Sequence, residues 1–150
     1  IVMEYVHGVA ADSWVKRSGT VPEAQALEVV IAATRGLVRA HLSGVVHRDV
    51  KPANVLIDGH GDCYLTDFGL AKRFVVQQGA EHVEFAGTPA YMAPEQLAAA
   101  GQVDHRADIY SLGCTLYKLL TGHAPFSGPE YTSPMAKMMA HVQQPVPPID

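Results

Sequence analysis

His47-Arg48-Asp49-Val50-Lys51-Pro52-Ala53-Asn54 is the stretch from which the rest of the chain can be read. It places a carboxylate, a cation and a side-chain amide at positions 49, 51 and 54, with Pro52 stiffening the chain between them. Transfer of a phosphoryl group to a hydroxyl needs a carboxylate to orient the acceptor, a cation near the migrating group, and oxygen ligands for Mg²⁺. Asp49 can accept the hydroxyl proton, Lys51 can reach the transferred group, and the Asn54 amide oxygen is a hard ligand suited to Mg²⁺. Thirteen positions on, Asp67-Phe68-Gly69 follows an apolar strand-like run. It offers a second carboxylate for a metal bridging nucleotide phosphates, and a glycine that lets the chain turn sharply. A third stretch, Gly87 to Glu95 (GTPAYMAPE), closes on Ala93-Pro94-Glu95.

Outward from these loops the elements are legible. Ile1 to Val6 reads as an extended apolar run broken at His7 and Gly8, and Asp12 to Lys16 as a short helix ended by Ser18 and Gly19. Thr20 and Glu23 have capping-box spacing, with Pro22 in the first turn. Ala26, Val29, Val30, Ala33, Leu37 and Ala40 recur at helical intervals up to Gly44, so the spacing predicts a long helix over 22–43. Val55 to Ile57 and Tyr64 to Thr66 form a hairpin pattern around Gly59 and Gly61. A second long helix is expected over 105–121, stopped by Gly122 and Pro125, and a third candidate covers Met135 to Val142. PVPPID at the end is a proline-rich loop. The expected class is mainly α, two long helices packed centrally with one small β-hairpin over them.

Composition narrows the function classes. At 150 residues the chain suits one domain, and 48% apolar with 17% charged residues describes a globular chain rather than a disordered one. A net charge of −4 gives no basic footprint for nucleic acid. No apolar run reaches the roughly 18 to 20 residues of a membrane span. Cys63 and Cys114 stand in no metal-ligand spacing, and the eight histidines are scattered, so a histidine metal site is not expected. Two separated, half-buried cysteines suit a reduced, cytoplasmic chain.

These motifs resemble the signature set of protein kinases, in order and over essentially the whole chain. The five fixed residues of HRDxKxxN arise by accident in about one in ten thousand chains of this size at average residue usage. With DFG and APE following, coincidence is untenable. The resemblance implies an ATP-dependent transferase with Mg²⁺ as cofactor and protein serine or threonine hydroxyls as acceptors. Lys51 and GTPAYMAPE are similar to the serine/threonine branch rather than the tyrosine branch, and Val142 to Pro148, with PAYMAPEQ, resembles the bacterial, Hanks-type kinases of that branch. It implies catalytic roles for Asp49, Lys51, Asn54 and Asp67, with Asn54 and Asp67 holding metal. It also implies a hinge in IVMEYVHG, with Met3 at the gatekeeper position, the backbones of Glu4 and Val6 facing adenine, and Leu56 under the ring. Asp108 resembles the helix carboxylate that pins the catalytic loop, His47 and Phe68 resemble packing residues, and Glu95 resembles one that pairs with a later arginine. Thr88 is similar to a threonine that contacts the catalytic loop.

By that resemblance residues 1–150 are a partial catalytic domain, the hinge and C-terminal lobe without the glycine-rich loop, strand lysine and helix glutamate of the other lobe. Such a piece alone is expected to be poorly soluble, to bind ATP weakly and to transfer no phosphate. Ala10 departs from the acidic ribose contact of many kinases, and Asp12 is the substitute candidate. Leu70 to Ala86 contains no Ser, Thr or Tyr; two readings of Glu81 and Glu84 stand, solvated loop charges, or a carboxylate that pairs with Arg48 or Arg73 in place of a phosphate. Two other classes stand beside the active kinase. A non-catalytic module of the same fold is disfavoured by the intact Asp49, Lys51, Asn54 and Asp67. A small-molecule phosphotransferase is disfavoured by the full segment from Asp67 to Glu95.

Overall fold

The structure, a computed structural model, describes residues 5–68, 88–98 and 103–149. Its spine is the pair of long helices α2 (Glu23–Leu42) and α4 (Arg106–Thr121), preceded by a short α1 (Ala11–Ser18). The apolar residues that predicted α2 do face inward: Ala26, Val29, Ala33 and Leu37 are buried. At its end Gly44 adopts φ +74°, and the amides of Gly44 and Val45 turn back to the carbonyls of His41 and Ala40, both at 2.9 Å. That pair of bonds satisfies carbonyls that no further helical turn would reach. The start differs from expectation. Thr20 and Glu23 form no capping box; Pro22 occupies the cap position without a side-chain bond. The entry is fixed instead by Val21, which is buried and donates its N–H to the Leu119 carbonyl at 2.8 Å.

Strands β1 (Gly8–Ala10), β2 (Val55–Asp58) and β3 (Cys63–Leu65) form an antiparallel sheet in that order, so the hairpin is joined by a third strand. Gly8 does not break a strand but opens β1, opposite Asp58; of the run expected over Ile1 to Val6, residues 1–4 lie outside the described residues. A Cβ there would stand 2.5 Å from the Ile57 carbonyl oxygen, so glycine is what permits the approach of the two strands. Ala11, Val15, Val21, Ala26, Val29, Val55 and Leu119 make one core cluster, and Ala33, Leu37, Val50 and Leu112 a second. Val50 and Val55 bring the loop between α2 and β2 into the core from both of its ends.

A short helix α3 (Glu95–Ala98) follows the 3-10 turn Pro89–Tyr91, and α5 (Pro134–Gln143) packs on that turn, its start capped by Ser133, whose Oγ accepts from the Ala136 N–H at 3.0 Å. Of the methionine group, Met138 is buried while Met135 and Met139 are exposed. Cys63 and Cys114 are both free thiols, and burial raises Cys114 to about 12, which keeps it protonated and inert. No helix among the described residues is long and apolar enough to cross a membrane.

Gly122 ends α4 with φ +84°, where a Cβ would meet the Gly19 carbonyl oxygen at 2.6 Å. Gly122→Ala should therefore cost about 2 to 4 kcal/mol, the left-handed backbone and the clash together. The check is a urea titration in which the midpoint falls at unchanged slope.

Candidate active site

Residues 47–54 leave α2 and enter β2, and the carboxylate of Asp108 sits beneath them with no exposed surface. Its Oδ1 accepts the Arg48 N–H at 2.7 Å; its Oδ2 accepts the His47 N–H at 2.9 Å and His41 Nε2 at 2.7 Å. Asp108 lies in the first turn of α4, where the helix dipole also favours a negative charge. A buried carboxylate is tolerable only when so many donors meet it. The loop-pinning contact expected of Asp108 is thus present.

Above this anchor the three polar residues converge. Lys51 Nζ donates to Asp49 Oδ2 at 2.8 Å and to Thr88 Oγ1 at 3.0 Å. Asn54 Nδ2 donates to the Asp49 carbonyl at 2.8 Å and to Asp49 Oδ2 at 3.3 Å. Both partners are oxygens, so the amide can be oriented in one way only, and its oxygen faces away from Asp49. The Asn54 carbonyl accepts the Thr66 N–H at 2.9 Å, which places Asp67 one residue beyond Asn54's own backbone. One carboxylate just past β3 and one outward amide oxygen just before β2 are the hard donors that Mg²⁺ takes, and the remaining positions suit water or phosphate oxygens.

His47 joins the two loops. It is buried; its Nε2 meets the Thr66 carbonyl at 2.9 Å and so carries the proton, leaving Nδ1 to accept the Asp49 N–H at 3.3 Å. The ring packs on Phe68 with centroids 4.5 Å apart, a scaffold and not a proton carrier. Arg48 and Asp67 both have left-handed backbones, φ +64° and +62°. Strain of that kind persists only where surrounding bonds over-determine the backbone, and it clusters at functional loops.

In comparison with known proteins, a family described as "Protein kinase domain" matches residues 1–147. The chain belongs to the protein kinase family. It is 41% identical to the serine/threonine-protein kinase PknB of Mycobacterium leprae, over 99% of this chain and 24% of that protein. Against PknB of Mycobacterium tuberculosis H37Rv and of Mycolicibacterium smegmatis the identities are 42% and 43%, with the same coverage. The chain spans about a quarter of the length of these curated relatives.

Of the residues expected at the adenine, Leu56 lies in β2 between Ala10 and Tyr64, partly exposed, and Val6 lies two residues before β1. Asp12, the substitute candidate for the ribose contact, is ion-paired. It bonds Lys16 at 2.7 Å and Lys118 at 2.9 Å. Burial alone would raise its carboxyl, but the two lysines outweigh that and hold it below the ordinary value. Met3, Glu4, Gly69, Arg73, Glu81 and Glu84 lie outside the described residues. No hydrogen bond or ion pair joins Glu95 to another described residue. Among the described residues no group of three or more histidine, cysteine and carboxylate side chains is placed to hold a metal. Sequence reasoning missed His41 as an Asp108 partner and gave no role to Gln96 or Ser111. Ser111 is buried and donates to the Tyr91 carbonyl at 2.7 Å. None of the three carries a signal in its spacing, because each contact joins segments far apart in sequence.

Proposed function

We propose that this domain catalyses transfer of the γ-phosphoryl group of ATP to serine or threonine hydroxyls of protein substrates. The observation that carries the reading is the convergence of Lys51, Asn54 and Thr88 around Asp49. The acceptor hydroxyl approaches Asp49, which takes its proton as the oxygen bonds to the γ-phosphorus. The bond from that phosphorus to its bridging oxygen breaks, and ADP leaves with the electron pair. Lys51 offsets charge on the migrating group while Thr88 keeps its ammonium in place. Mg²⁺, held by Asn54 and Asp67, would neutralise charge on the β- and γ-phosphate oxygens. Val6 and Leu56 would line the adenine side, and Met3 and Glu4, assigned to the same hinge by the resemblance, lie outside the described residues. The need for ATP places this chemistry in the cytoplasm.

The test uses the full-length protein with Mg·ATP and matched peptides bearing Ser, Thr or Tyr. Phosphate should appear on Ser or Thr and not on Tyr; transfer to Tyr alone, or none at all, overturns the reading. Asp67→Asn should weaken Mg·ATP binding and lower turnover together, since a metal ligand loses its charge. A variant with wild-type Mg·ATP affinity would remove Asp67 from the metal site.

A further inference from the structure

Arg48 immediately precedes Asp49, and its left-handed backbone sets the direction in which Asp49 is presented. Its N–H is held by Asp108 at 2.7 Å. Its carbonyl is held from the opposite side by Gln96 Nε2 at 3.1 Å. Gln96 is buried and its Oε1 accepts the Ala93 N–H at 2.9 Å. The amide must lie this way round, because a backbone N–H requires the oxygen and a carbonyl requires the NH₂. The segment Thr88 to Gln96 is tied to the rest of the domain by side-chain bonds at Thr88, Tyr91 and Gln96, yet of these only Gln96 grips the peptide unit that adjoins Asp49. Between the two segments lies a cavity of about 10 Å³, lined by residues that include Arg48, Asp49, Thr88, Met92, Gln96 and Ser111. Packing there is slack by about one water, so the polar bonds set the spacing.

We infer that Gln96 is a positioning residue for catalysis: it closes a clamp on the strained Arg48 peptide and so couples the segment 88–96 to the aim of Asp49. The inference rests on the function proposed above. Because Asn54 and Asp67 are untouched, loss of Gln96 should lower kcat and leave Mg·ATP affinity unchanged.

Two substitutions in the full-length kinase test it. Gln96→Leu removes both bonds at similar volume. Gln96→Glu keeps the acceptor for Ala93 N–H, and with it the local fold, but sets an oxygen against the Arg48 carbonyl. Each should lower kcat at least about tenfold, the scale of a small misalignment of reacting groups. Amide exchange at Arg48 should quicken, and Mg·ATP affinity should stay at the wild-type value. Burial and the facing carbonyl raise the introduced carboxyl of Gln96→Glu. As pH falls from about 8 to about 6 it regains a proton to donate, so the kcat ratio of variant to wild type should climb. The nearby charged and ionisable groups, Arg48, Asp49, Tyr91 and Asp108, are present in both proteins, so the pH dependence of the ratio reports the introduced carboxyl together with its coupling to them. A Gln96→Glu variant with wild-type kcat and wild-type exchange overturns the inference. So does a kcat loss matched by equal loss of nucleotide affinity, which marks general unfolding. An inactive wild type sinks the proposed function, while exchange at Arg48 still decides the clamp.

Discussion

Asp49→Asn in the full-length kinase should lower kcat by about 100-fold or more, the usual loss when a general base is removed, with Mg·ATP affinity close to wild type. The substitution is nearly isosteric, and the new amide oxygen can still accept from Lys51 and Asn54, as Asp49 Oδ2 does at 2.8 Å and 3.3 Å. The geometry of the cluster is therefore expected to survive. What the amide cannot do is take up the acceptor's proton. Pre-steady-state turnover alongside nucleotide titration separates the two quantities. Retention of more than about a tenth of the turnover would exclude Asp49 as the base.

Asp108→Ala should have the second large effect, this time on the fold of the catalytic loop. The fully buried carboxylate meets His47 N–H, Arg48 N–H and His41. Alanine strands these donors at once, and a buried unmet donor costs about 1 to 3 kcal/mol. The total expected loss is about 3 to 5 kcal/mol, the range seen when one partner of a buried charged network is removed. Chemical denaturation measures it, with kcat falling in parallel. A loss below about 1 kcal/mol would mean that the buried Val50 and Pro52, rather than Asp108, hold the loop in place.

The long helices and their ends could be read from the chain because both signals are local: apolar spacing along Ala26 to Leu37, and a glycine in the left-handed region just past each end, Gly44 and Gly122. The converging trio of Asp49, Lys51 and Asn54 was legible for the same reason, a stretch of six residues being enough to fix their mutual reach. What escaped depends on distant partners. Gly8 looks like a breaker until Ile57 is known to lie against it. Thr20 and Glu23 look like a cap until Val21 is seen bonded to Leu119. Asp12 looks free to bind a ligand until Lys118, more than a hundred residues later, is found beside it. His41 and Gln96 belong to the same group, since each meets its partner only once the chain has folded.

The grip on the loop ahead of Asp49 is exerted on main-chain atoms: Asp108 on two N–H groups, Gln96 on one carbonyl. Such an anchor is blind to the side chain at position 48. Selection can exchange Arg48 for a neutral or even acidic residue, and so rewire whatever charge the segment answers to, without moving Asp49. The permitted alphabet is limited by conformation alone: proline lacks the N–H, and β-branched residues resist a φ of +64°. Two adjacent positions of one chain are therefore constrained in different ways, position 48 by its backbone and position 49 by its side chain.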